Sequence, residues 1–317
     1  MILERLTLLV ALIATAALLG VVFLIGGPAS SSTMMGEDAP SPLGAMPTRE
    51  NTGPNEPLDG PDITAKQWVK SRECDHQRVV GTVRIQLATD RPGTWTLDAD
   101  QCEFTGEIRV AIYGDYPESK YPTINLHRVS LPKGIAASAG IRINISQSRI
   151  GEATLAPCPS CAGVDWELRR AMPLKVTDSL FVSDPPEHPD GWHYEALHLM
   201  GSATDVSFEN VRFVIRGPMV AGVQTGAILA DADQMTFKDV YFDFGGGPIA
   251  SYFTAYIGRG PDTAPGAVSV SGCRIKKGQA SYVYPDGTGN HNSVAASWSG
   301  CRDWDTGEAL TIEPNSG

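Results

Sequence analysis

The chain has 317 residues, with 36 acidic against 25 basic side chains and a formal net charge of −11. That balance excludes a general nucleic-acid binder, which needs a positive surface. A hydrophobic share of 42% excludes wholesale disorder, and 33 Gly with 23 Pro exclude a coiled coil or helix bundle.

In chain order, the first element is an uncharged apolar run over residues 6–25, LTLLVALIATAALLGVVFLI. At about 1.5 Å per residue it spans roughly 30 Å, the thickness of a bilayer core. Residues 1–26 therefore read as a single-pass membrane anchor. A secretory signal peptide, cut near Gly27-Pro28-Ala29, is the competing reading. Both place the remainder outside the cytoplasm, either tethered to a membrane through residues 6–25 or secreted.

Residues 27–61 hold seven prolines, a Ser-Ser-Ser-Thr run and no aromatic residue. Such a segment buries too little apolar surface to offset its ordering entropy and is predicted to be a disordered tether. The globular domain is expected over 62–317. It opens with a short amphipathic helix over 62–73 that carries Trp68 and Val69, with Asp62 as its N-cap.

An internal repeat follows: apolar, any, apolar, two turn-like residues, apolar, any, apolar. Its copies start at Leu97, Ile124, Ile143, Leu174, Val206, Met235, Val268 and Ala296, at intervals of 27, 19, 31, 32, 29, 33 and 28 residues. Each half alternates with period two and so predicts a short strand with one buried face. The second bend residue in the last five copies is Asp178, Asn210, Asp239, Gly272 and Gly300. These are residue types that tolerate the left-handed backbone region. Strand, bend and strand recurring with variable connections describe a solenoid of stacked coils. A β-sandwich of hairpins is the competing architecture. Stacking would align Phe181, Phe213 and Phe242 at one position and Phe208 and Phe237 at another. A third strand is expected just before each pattern, at 166–169, 196–199, 227–229 and 255–257.

Three strands per coil of about 30 residues make residues 80–312 resemble the right-handed parallel β-helix of pectate-lyase-like proteins. The resemblance implies an all-β solenoid of about eight coils, with the preceding helix capping its open end.

Six cysteines form an even set. Cys273 and Cys301 share one pattern position in adjacent coils, which fits a disulfide or a stacked pair of thiols. Cys158-Pro-Ser-Cys161 reads as a local disulfide, because a zinc site would need a second pair. Cys74 and Cys102 are assigned as a link between the cap and the first coil. The pairs Asp98/Asp100, Asp231/Asp233 and Asp303/Asp305 are candidate calcium ligands or simply solvated turns. No other cofactor is expected.

The densest polar stretch runs over 183–199. Its segment His193-Tyr194-Glu195-Ala-Leu197-His198 resembles a motif of bacterial β-helix proteins, in which a His-x-acidic triplet opens a strand. Coil alignment by spacing sets Glu167 opposite His198, with Arg169 on the same outer face and Ile228 and Tyr256 extending the row. His193, Glu195, His198, Glu167 and Arg169 are thereby candidate acid–base residues. Trp192, Tyr194, Tyr256 and Asp190 are candidate sugar contacts. The expected function is a carbohydrate-facing surface whose partner is a polysaccharide or cell-surface glycan, with no nucleic acid. A polysaccharide lyase or glycoside hydrolase acting on an acidic glycan, and a phage tail-like or surface structural protein, are the alternatives.

Overall fold

A computed structural model describes residues 45–88, 94–113, 121–137, 141–151, 153–155, 173–183, 196–199, 205–215, 221–225, 235–243, 253–259, 268–275, 294–295 and 297–311. The compact unit that contains them runs from Leu43 to Gly317. The apolar segment 6–25 lies outside the described residues. Among the described residues no helix is long and apolar enough to cross a membrane.

The chain is an all-β parallel solenoid. Two sheets account for its strands, one of 15 strands and one of 8 among the described residues. Alternation along each strand does the sorting. In Thr123–His127, Ile124 and Leu126 turn inward while Thr123, Asn125 and His127 turn outward. Residue then stacks on equivalent residue: Leu97 pairs with Ile124, Ile124 with Ile143, and Ile143 with Leu174. The expected phenylalanine columns are present. Phe208 and Phe237 stack with ring centroids 4.8 Å apart, and Phe213 and Phe242 at 5.8 Å.

About four turns close with three separate strands, over 73–88, 96–113, 123–137 and 142–155, and the expected eight is corrected accordingly. Return strands are also present past these turns, at Leu197–Leu199, Ala221–Thr225 and Phe253–Arg259. Beyond residue 173 the two half-strands merge into one, as in Leu174–Ser183 and Val206–Ile215, and much of the returning chain lies outside the described residues.

The bends share one backbone geometry. His76, Gln101, Arg128, Gln147, Asp178, Asn210 and Asp239 have φ between 47° and 56°, and Gly272 and Gly300 have φ of 65°. An L-residue there costs roughly 1–2 kcal/mol, so something must hold it. The ladder does, because it continues through the corner. The amide of His76 donates to Asp100 O at 3.2 Å, that of Gln101 to His127 O at 3.1 Å and that of Arg128 to Ser146 O at 3.0 Å. The bend at His76 precedes the first expected copy of the repeat. With Gln77 at an apolar position, Arg72 to Val79 escaped the pattern.

The helix is Ala65–Ser71, shorter than expected, and its N-cap is Thr64 rather than Asp62. Thr64 and Gln67 form a capping box, and Arg72 ends the helix at φ 70°. Trp68 is fully buried. Its indole donates to Asp98 O at 2.9 Å and its ring meets Phe104 edge-on, so the helix closes the first turn as the resemblance implied. Disulfides join Cys74 to Cys102 and Cys273 to Cys301, the latter with Cα atoms 4.2 Å apart as one stacked position requires. Cys158 and Cys161 lie outside the described residues.

Residues 45–61, expected within a disordered tether, instead run as a strap across the bends. Asn210 Nδ2 donates to Ala45 O, Gly53 N to Gln147 O at 2.8 Å, and Asn55 N to Gln101 Oε1 at 3.0 Å. The domain therefore begins before residue 62. Composition misled here because the strap is held by its own backbone groups rather than by apolar burial.

Two consequences are measurable. A Cβ at Gly272 would overlap Asp239 Oδ1 on the preceding bend. Gly272→Ala is expected to lower stability in denaturant unfolding by at least the roughly 1–2 kcal/mol of a strained left-handed residue, and adding Asp239→Gly should recover the overlap component. Separately, Asn210 Nδ2 donates to Asp178 Oδ1 at 2.7 Å while its buried Oδ1 has no partner among the described residues. The next residue in that column is Asp239, whose carboxyl burial pushes above the usual carboxylate range; Glu209 adds to the rise while Lys238 and Arg274 oppose it. Asp239→Asn supplies a neutral donor and is expected to stabilise by about 1 kcal/mol near neutral pH. A raised carboxyl favours the fold below about pH 4 and loses that contribution as pH rises through the folded value. The gain from Asp239→Asn should therefore shrink in unfolding curves recorded at acid pH.

Candidate functional site

The residues singled out in the polar stretch divide by location. Asp190, Trp192, His193, Tyr194 and Glu195 lie outside the described residues, as do Glu167 and Arg169. His198 sits on Leu197–Leu199 in the second sheet, in register with Thr154 and Gln224. Gln224 in turn pairs with Tyr256. The backbone row is thus Thr154, His198, Gln224, Tyr256, and the expected neighbours Glu167 and Ile228 are corrected. Of the return strands expected just before each pattern, those at 196–199 and 255–257 are present as Leu197–Leu199 and Phe253–Arg259, and those at 166–169 and 227–229 lie outside the described residues. The strand that pairs with His198 is Ala153–Leu155, which follows its own bend directly.

The acidic pairs also take different roles. Asp303 is buried, and its Oδ1 accepts from Asp305 N, Thr306 N and Thr306 Oγ1 at 3.1, 2.8 and 3.0 Å, which makes it the organiser of a turn. Asp231 and Asp233 lie outside the described residues. Asp98 and Asp100 face outward on the first sheet. Among the described residues no group of three or more His, Cys, Asp or Glu is placed to hold a metal ion.

The outward face of the first sheet carries the most organised polar array. One row runs Asp98, Asn125, Asn144, Lys175, Ser207 and Thr236 on successive rungs. Within it Asn125 Nδ2 donates to Asp98 Oδ1 at 2.7 Å, and Asn144 Nδ2 to Asn125 Oδ1 at 2.8 Å. The parallel row, two residues along, runs Asp100, His127, Ser146, Thr177, Glu209 and Lys238. His127 Nδ1 lies 2.8 Å from Ser146 Oγ, and Glu209 pairs with Lys238. The strand period of two aims both rows outward, and rung stacking repeats them at about 4.8 Å. Polar side chains fixed to one another in this way form a flat lattice of donors and acceptors. The sequence signal was present in the repeat: its first 'any' position reads Asp, Asn, Asn, Lys down the copies, and its first turn-like position reads Asp, His, Ser, Thr.

A third outward row, just past the bends, is covered. Arg149 Nη1 donates to Arg49 O at 3.4 Å and Arg212 Nη1 to Pro47 O at 3.4 Å, both on the strap. From the other end Trp304 lies under Arg212, 5.4 Å from ring centroid to guanidinium carbon, and Asp243 pairs with the same arginine. The strap ends in an ionic latch. His76 Nε2 meets Glu56 Oε2 at 2.9 Å and Nδ1 meets Asp75 Oδ1 at 2.6 Å. No protein-family model, curated protein or solved structure matches the chain.

The latch sets a pH dependence. Hydrogen bonding to Glu56, then to Asp75, holds His76 above the usual imidazole value. Its contribution is complete below about pH 6.5, the unfolded value, and is lost as pH rises through the folded one. In a proton NMR titration His76 should show a raised midpoint that falls in Glu56→Gln. An equal midpoint in the two proteins would show that Glu56 does not engage it.

Proposed function

We propose that the chain is a membrane-tethered, extracytoplasmic right-handed parallel β-helix of pectate-lyase-like type whose first sheet presents a glycan-binding face. The observation that carries this reading is the double row from Asp98 and Asp100 onward, with its Asn125–Asn144 amide ladder. Sugar hydroxyls both donate and accept, and a lattice of amide, hydroxyl and imidazole groups offers both. Its repeat, close to the length of a pyranose ring, suits a glycan lying along the solenoid axis. The rows are exposed or half-buried, whereas the bend-side row is occupied by the strap.

Charge narrows the ligand. Glu73, Asp75, Asp98 and Asp100 occupy adjacent positions on neighbouring strands at one end of the face. These carboxylates disfavour a polyanion there, so a neutral or amino-bearing glycan fits better than the acidic one of the lyase reading. The remaining elements of the proposal rest on simple grounds. Two disulfides suit an oxidising compartment, residues 6–25 have the length and composition of an anchor, and parallel crossovers are right-handed in nearly all known sheets.

A glycan array probed with the full chain in detergent tests the reading. Asn125→Ala with Asn144→Ala is expected to weaken capture of a neutral or amino-bearing glycan about tenfold, as the loss of one or two hydrogen bonds would. Capture that survives this change but is lost in His198→Ala would move the site to the second sheet and overturn the proposal.

A further inference from the structure

We propose that Ser146, His127 and Asp100 form a hydrolytic centre for acyl esters on the exposed face of the first sheet. The three occupy one outward position on three successive rungs, so the ladder register itself brings them together. His127 Nδ1 lies 2.8 Å from Ser146 Oγ, and its Nε2 lies 3.9 Å from Asp100 Oδ1 on the opposite side. In the tautomer the proposal requires, with the ring hydrogen on Nε2, Nδ1 accepts the serine hydroxyl and Nε2–H faces the carboxylate. That is a nucleophile, a base within hydrogen-bond reach of it, and a carboxylate within ion-pair distance on the base's far side.

The arrangement is not needed to satisfy the backbone. Two neighbouring serines that serve the fold, Ser148 and Ser179, are buried and bond to main-chain oxygens: Ser148 Oγ donates to Ser146 O at 2.7 Å and Ser179 Oγ to Thr177 O at 2.6 Å. Ser146 instead directs its hydroxyl to an imidazole that is 42% exposed and open to a ligand. On the rung beyond Ser146, away from His127, stands the exposed Lys175, beside Asn144 in the neighbouring row. Asn144 Nδ2 gives one hydrogen to Asn125 and keeps a second. In this proposal the amide and the ammonium, in the row beside Ser146, are assigned as donors to the oxyanion formed there.

The reaction balances without any further reagent than water. Ser146 Oγ attacks the ester carbonyl while His127 Nδ1 takes the hydroxyl proton. The carbon–oxygen bond to the alcohol then breaks, and His127 returns the proton to the leaving oxygen. Water, deprotonated by the same nitrogen, attacks the acyl-serine and releases the carboxylic acid, restoring the hydroxyl. Asp100 is a positioning residue that faces the imidazole from the side opposite Ser146. The substrate class is an O-acyl ester; in its choice of a sugar-borne acyl group the proposal rests on the glycan-binding reading of this face.

The test uses the full chain in detergent with a fluorophosphonate probe and p-nitrophenyl acetate. Peptide mass spectrometry should find the phosphonyl group on Ser146, and turnover should fall about 10²–10⁴-fold in Ser146→Ala and in His127→Ala with unchanged thermal unfolding. Asp100→Asn should lower kcat with KM unchanged, and Asp100→Glu should restore part of it. Labelling elsewhere or nowhere, or full turnover in Ser146→Ala, would overturn the proposal. Equal losses in the two Asp100 variants would remove Asp100 from it. Failure of glycan capture with labelling intact would sink the glycan reading alone, while capture without labelling would sink this one alone.

Discussion

One backbone constraint organises the molecule: a residue in the left-handed region at the same place in every turn. The bend it makes separates two half-strands, and its amide bonds to the next turn, so each corner is locked to the corner above it. Because strands have a side-chain period of two, fixing the corner fixes every residue on either side as inward or outward. The phenylalanine columns, the Cys273–Cys301 bridge and the polar rows all follow from that single alignment. Gln101, Arg128 and Gln147, which have no intrinsic preference for such a backbone, adopt it because the ladder hydrogen bonds on both sides leave no other path.

The repeat was legible because its period-two halves and its Asp, Asn and Gly corners are chemical requirements rather than accidents of composition. Stacked phenylalanines and stacked cysteines came with it. What stayed hidden was set by long-range geometry. The return strand beside His198 is chosen by contacts between turns, which no local spacing records. The first corner at His76 has only Cys74 and Val79 to announce it. The strap at 45–61 looks disordered by every compositional measure, yet its carbonyls and amides are matched one by one to Asn210, Arg212, Gln147 and Gln101.

The two faces beside the corner contrast in a way that bears on the proposed function. Past the bend, arginines are covered by main-chain carbonyls of the strap and by Trp304. Before the bend, the amide, imidazole and hydroxyl rows carry no such cover among the described residues and are bonded mainly to one another. Side chains held by their neighbours lose little further freedom on meeting a ligand, which lowers the entropic cost of association. The signal for these rows lay in the first 'any' and first turn-like positions of the repeat rather than in any dense polar motif.

The strap changes how the solenoid can come apart. In a stack of coils each unit touches only its neighbours, so such proteins fray from an end like a zipper, one unit at a time. Here a single extended segment reaches from Asn210 to His76 and is fastened at several corners between them. A coil in that span cannot loosen without disturbing contacts several coils away. Neighbour-by-neighbour melting is thereby replaced, over this part of the stack, by loss of the whole block together.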